Sequence, residues 1–110
     1  MNVRDQVRLR AGGACERCGR SVVNYPSSIH HRRPRQMGGT RENLDTLANL
    51  VLLCGSGTTG CHGYIESHRT QAIAEGWLVP RRDPRQPEDV PVVIYGGSYY
   101  VGEGMVTYVS

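Results

Sequence analysis

The chain has 110 residues, 38% of them hydrophobic with a single Trp and no Phe, so it can bury one small core whose packing alone leaves stability thin. All thirteen basic residues are arginine and, set against ten acids, leave a net charge of +3. The longest apolar run, Leu50 to Leu53, is far too short to span a bilayer, and Met1 to Asp5 lack the apolar core of a secretory signal; a cytoplasmic location and no membrane partner are expected.

Val3 to Arg10 reads as a short helix, capped by Asn2, with Asp5 in its first turn and Gly12-Gly13 ending it. Cys15-x2-Cys18 followed by Gly19 is a knuckle, because two residues between thiols let one tight turn aim both sulfurs at a single ion. Ser21 to His31 holds strand-like pieces broken by Pro26, and Ile29 to Arg32 is the important one. Alternation along a strand sends His30 and His31 to opposite faces, which gives them separate roles. Pro34 ends that strand, and Met37 to Thr40 is a turn. Arg41 to Ala48 is an irregular or briefly helical connector, and Leu50 to Leu53 is a buried strand.

A helix is expected from near His62 to about Glu75, with Gly76 as its left-handed cap and Trp77 to Val79 folding back on the core. His62, Glu66, Arg69 and Ile73 share one side of it, and His68 points away. Strand, loop, strand and helix make a ββα unit. Arg81 to Glu88 is a charged, proline-broken connector. Val90 to Tyr95 and Ser98 to Val101 are strands joined by Gly96-Gly97, with Met105 to Val109 as a third.

Two sets of metal-ligand types are interleaved in this pattern. Cys15-x2-Cys18 and Cys54-x6-Cys61 have the paired-knuckle logic of a structural zinc ion on four thiolates, although the second spacing is wide; Gly55, Gly57 and Gly60 would let that loop bulge. The competing reading is two disulfides or free thiols, which a reducing compartment disfavours. The second set is His30, His31, Asn49, His62 and Glu66. Between Ser28 and Arg41 there are four arginines, Arg32, Arg33, Arg35 and Arg41, and no acid. Planar arginine forks suit phosphate oxygens, so a phosphate-bearing partner is expected.

The order Cys15-x2-Cys18, His30-His31, Asn49 to Cys54, and Cys61-His62 resembles the HNH family of metal-dependent endonucleases, over about Cys15 to Ala74. Gly76 to Val79 and Val90 to Val92 are also similar, more weakly, to small HNH proteins of tailed phages. The resemblance implies an α+β fold, a zinc-stapled ββα-metal (His-Me finger) core with a short N-terminal helix and a small C-terminal β appendage. Residues 1–80 would form the nuclease domain, and residues 81–110 a connector and appendage packed on the same domain. It implies a divalent-metal-dependent DNA endonuclease, used in phage DNA processing or packaging, with DNA and phage packaging proteins as partners and the host cytoplasm as its place.

Residue by residue, the resemblance makes His30 the first ligand of the catalytic ion, His31 the general base, Asn49 the brace of the loop carrying the base, and His62 the second ligand. The chain departs from the pattern twice. Six residues separate Cys54 from Cys61 where many members have two, and Glu66 stands where many have a histidine. A carboxylate there would bind the ion directly or through water and favour a hard cation such as Mg²⁺ or Mn²⁺, with Ni²⁺ a further candidate. Arg32, Arg33, Arg35 and Arg69 would track adjacent phosphates. The rival reading is a non-catalytic zinc-ribbon module binding nucleic acid or a protein. It keeps the cysteines and arginines but gives no reason for His30, His31, Asn49 and His62 to occur in that order.

Overall fold

In the computed structural model, which describes residues 1–34, 44–94 and 96–108, the chain opens with α1 (Val3–Ala11). Asn2 caps it by accepting the Asp5 N–H at 2.8 Å, and Gly12 ends it in the left-handed conformation at φ 62°. β1 (Ser27–His31) pairs antiparallel with β2 (Leu50–Cys54), from Ser27 opposite Cys54 to His31 opposite Leu50.

All five residues of β2 are buried because both faces of the strand are covered. Leu50 and Leu52 pack with Val7 of α1, whereas Val51 and Leu53 join a larger cluster with Ile65, Trp77, Val92 and Val101. A side chain of this size contributes about 1.5–3 kcal/mol when fully buried, so this strand is the main seam of the core. A buried ion pair ties the layers together. Arg10 forks onto Glu16 at 2.7 Å and also donates to the carbonyls of Leu47, Leu50 and Gly102.

The single helix expected from His62 to Glu75 is two, α2 (Gly60–Ser67) and α3 (Arg69–Ala74). The break lies at His68, at φ −124° and ψ 57°. Just before it the Ser67 hydroxyl contacts the Gly63 and Tyr64 carbonyls, and the His68 N–H still bonds to the Tyr64 carbonyl at 2.9 Å. His68 stacks on Tyr64 at 4.0 Å between ring centres, away from the cleft described below. Gly76 follows α3 at φ 82°, and a Cβ there would collide with the Pro91 carbonyl, so only glycine lets Trp77, Leu78 and Val79 turn back into the core.

Beyond a short 3-10 turn at Pro87–Asp89, β3 (Val92–Ile94), β4 (Gly97–Val101) and β5 (Met105–Thr107) form an antiparallel meander. Val92 and Val101 insert into the same cluster as Ile65 and Trp77. The architecture is α+β, and among the described residues no helix is long and apolar enough to cross a membrane.

Two of the arginines expected to meet phosphate do something else. Arg32 is 0% exposed and donates to the carbonyls of Ala48, Gly76, Pro87 and Val90. Burial draws its guanidinium down to about 10, which still leaves it charged at neutral pH. Arg33, also buried, donates through Nη2 to the carbonyls of Asp83 and Arg85. Both forks are turned inward by backbone oxygens that the connector would otherwise leave unpaired, a demand the local sequence does not announce. Arg35 and the Met37 to Thr40 turn lie outside the described residues. Arg32→Met is expected to cost about 3 kcal/mol or more in urea unfolding, since it strands several buried carbonyls at once; a loss under about 1 kcal/mol would mean that water replaces the fork.

Candidate functional site

The four cysteines converge from three parts of the chain. Cys15 and Cys18 sit on a knuckle closed by Gly19 N–H to Cys15 O at 2.9 Å and fastened to β2 by Glu16 N–H to Leu52 O at 2.8 Å. Cys54 ends β2, and Cys61 lies in the first turn of α2. The wide Cys54-x6-Cys61 spacing works because Gly55, at φ 87°, lets the loop fold onto itself so tightly that a Cβ would strike the Thr59 carbonyl. The Cys61 N–H thereby reaches Cys54 Sγ at 3.4 Å.

All four sulfurs lie within 4.8 Å of one another, and Cys18 and Cys54 are 3.7 Å apart, unbonded. Thiolates about 2.3 Å from a tetrahedral ion stand roughly 3.8 Å from each other, so the set could hold a structural metal. Burial pushes the Cys61 thiol up, against the pull of Arg17, whose Nη1 is 3.4 Å from Cys61 Sγ. A cation among the sulfurs reverses that preference, because a coordinated thiol is deprotonated.

One residue beyond Cys61, α2 presents His62 to a cleft of about 340 Å³ that His30, His31, Glu66 and Arg69 also line. His30 Nδ1 is 4.0 Å and His62 Nε2 3.8 Å from Glu66 Oε1. The far nitrogen of each ring is committed elsewhere. His30 Nε2 faces the Trp77 carbonyl at 3.0 Å; a carbonyl only accepts, so Nε2 carries the hydrogen and Nδ1 keeps the lone pair toward Glu66. His62 Nδ1 meets Ser28 Oγ at 2.7 Å, and that hydroxyl in turn donates to the Gly55 carbonyl. The hydroxyl therefore accepts from Nδ1, which leaves the lone pair on Nε2. Burial, assisted by the neighbouring His62, lowers His30 from about 6.5 to about 4, so the ring is neutral at physiological pH as a ligand must be. The three ligand atoms need close by less than an ångström to meet a divalent ion at about 2.1 Å.

His31 engages a different partner from His30, as strand alternation requires. Its Nε2 lies 2.8 Å from Asp45 Oδ1. A carboxylate accepts, so Nε2 carries the hydrogen and Nδ1 the lone pair. Asn49 is 1% exposed and accepts the Arg33 N–H at 2.7 Å while donating to the carbonyls of Arg33 and Leu44. It pins the backbone just past His31 and just before Asp45, and it does not touch the imidazole itself.

Ser28 and Asp45 escaped the sequence reading. Ser28 was accessible to it, since it lies two residues before His30 and so on the same strand face. Asp45 carries no local signal, because the contact spans 14 residues.

The ββα finger thus carries two groups that could hold a metal ion, a cysteine tetrad at its base and a His-His-Glu cluster in its cleft. Residues 15–63 match the family model described as HNH endonuclease. Domains of this family are typically endonucleases that bind DNA and use a divalent metal. No curated protein and no solved structure matches the chain significantly.

Proposed function

We propose that the chain is a divalent-metal-dependent DNA endonuclease whose finger is stapled by a zinc ion on Cys15, Cys18, Cys54 and Cys61. The observation that carries this reading is the convergence of His30 Nδ1, His62 Nε2 and Glu66 Oε1, each with its lone pair inward, beside a separately held His31. His30, His62 and Glu66 are the residues that would hold the catalytic ion, with Mg²⁺, Mn²⁺ or Ni²⁺ as the candidates that imidazole and carboxylate donors suit. When bound, it neutralises charge on the scissile phosphate and on the departing oxygen.

His31 acts as the general base, taking a proton from the attacking water at Nδ1 while Asp45 keeps the ring in that tautomer. Asn49 holds the two backbone segments that set this pair. Arg69, at the rim, meets a phosphate oxygen when it leaves its 3.3 Å contact with Glu66. Residues 1–80 supply the nuclease machinery, and β3, β4 and β5, within residues 81–110, complete their core. The setting we propose for this activity is phage DNA processing or packaging.

The test is to incubate supercoiled plasmid with the chain and Mg²⁺, Mn²⁺ or Ni²⁺, with and without excess chelator. Nicked or linear product that needs the metal is expected. Retarded but intact plasmid under every condition would favour a non-catalytic zinc-ribbon module instead.

A further inference from the structure

Arg32 and Arg33 face inward, so the surface that grips DNA lies elsewhere. Pro34, Arg69 and Leu78 line both the imidazole cleft and a second groove of about 370 Å³, which continues past Ile73 and Pro80 to Arg81 and Arg82. The floor of this groove is apolar, its rim carries three arginines, and among the described residues no acid lines it. Arg81 and Arg82 are exposed, and among the described residues neither has a hydrogen-bond or ion-pair partner.

Their placement is built into the fold. Val79 N–H bonds to the Arg32 carbonyl at 2.9 Å, and Asp83 N–H to the Pro80 carbonyl at 3.0 Å, closing a turn with Arg81 and Arg82 at its centre. The buried Arg33 fork holds the far side of the turn through the carbonyls of Asp83 and Arg85. Arg33 thus serves as the anchor of a turn that displays two other arginines beside the cleft.

We propose that this groove binds the DNA backbone flanking the scissile phosphate, with Arg69 at the junction with the cleft and Arg81 and Arg82 on phosphates farther along the strand. The inference rests on the endonuclease reading and deepens it. Charge complementarity selects the occupant, since a run of guanidinium groups over an apolar floor fits phosphates and the sugar faces between them.

The full chain is compared with Arg81→Gln/Arg82→Gln and with Arg4→Gln/Arg8→Gln, which removes the same charge from exposed positions on α1. Affinity for a labelled DNA duplex is measured across a salt series in a His31→Ala background, so that no cutting intervenes. The groove pair is expected to lower the slope of log K against log salt by about 2 and to weaken binding at about 0.1 M salt by on the order of tenfold or more, with the α1 pair having a much smaller effect. Equal losses in the two pairs, or an unchanged slope in the groove pair while the parent binds DNA, overturn the groove assignment alone. A parent chain that does not bind the duplex overturns the endonuclease reading with it.

Discussion

Replacing His31 by alanine is expected to reduce metal-dependent DNA cleavage about 10²- to 10⁴-fold while leaving duplex affinity within about twofold, since a positioned general base contributes on that scale to the chemical step and little to phosphate binding. The ring is part-exposed at the cleft, and its one described hydrogen bond runs to Asp45, so its removal spares the core. Asp45→Asn should lie between alanine and wild type, because an amide can donate to the ring and select the tautomer with its lone pair turned from the cleft. Single-turnover cleavage of a labelled duplex, paired with anisotropy titration, separates the two effects. A His31→Ala chain that cuts at the wild-type rate would place the base elsewhere.

Cys18→Ser is expected to unfold the chain or lower its melting temperature by tens of degrees. A structural zinc ion in a site of this kind contributes on the order of 10 kcal/mol of apparent binding energy, which matches the whole stability of a small domain. The core offers little to replace it, having no Phe and one Trp. Cys61 also adjoins His62, so loosening the tetrad displaces a residue of the cleft as well as the knuckle. Metal content by mass spectrometry and melting by circular dichroism test this together. Wild-type protein without zinc, or equal melting temperatures in the two chains, would show that hydrophobic packing suffices. The serine variant isolates the tetrad, whereas a chelator strips both sites.

Much of the site was legible because it depends on short spacings. Cys15-x2-Cys18, the capped first helix, the apolar Leu50 to Leu53 strand and the i, i+4 pair His62 and Glu66 are local patterns whose geometry follows from the turn, strand or helix that carries them. Strand alternation separated His30 from His31 before any contact was known, and the contacts agree, with Trp77 on one side and Asp45 on the other. The helix break at His68 went unseen because the apolar periodicity runs on from α2 into α3 without registering it.

The sequence by itself set out the candidate ligands and the ββα order. Each of these follows from residue type and spacing, and covalent geometry carries them into space almost unaided. Only the tertiary structure decided which arginines can meet phosphate, which nitrogen of each imidazole is available, and which partners, Ser28 and Asp45, hold the rings. The physical reason is common to all three. Arginines at 32 and 33 and those at 81 and 82 are chemically alike, and what divides them is whether the fold turns unpaired backbone carbonyls toward the fork or leaves it to solvent. That choice is made by chain segments about 16 to 58 residues away, where local pattern has no reach.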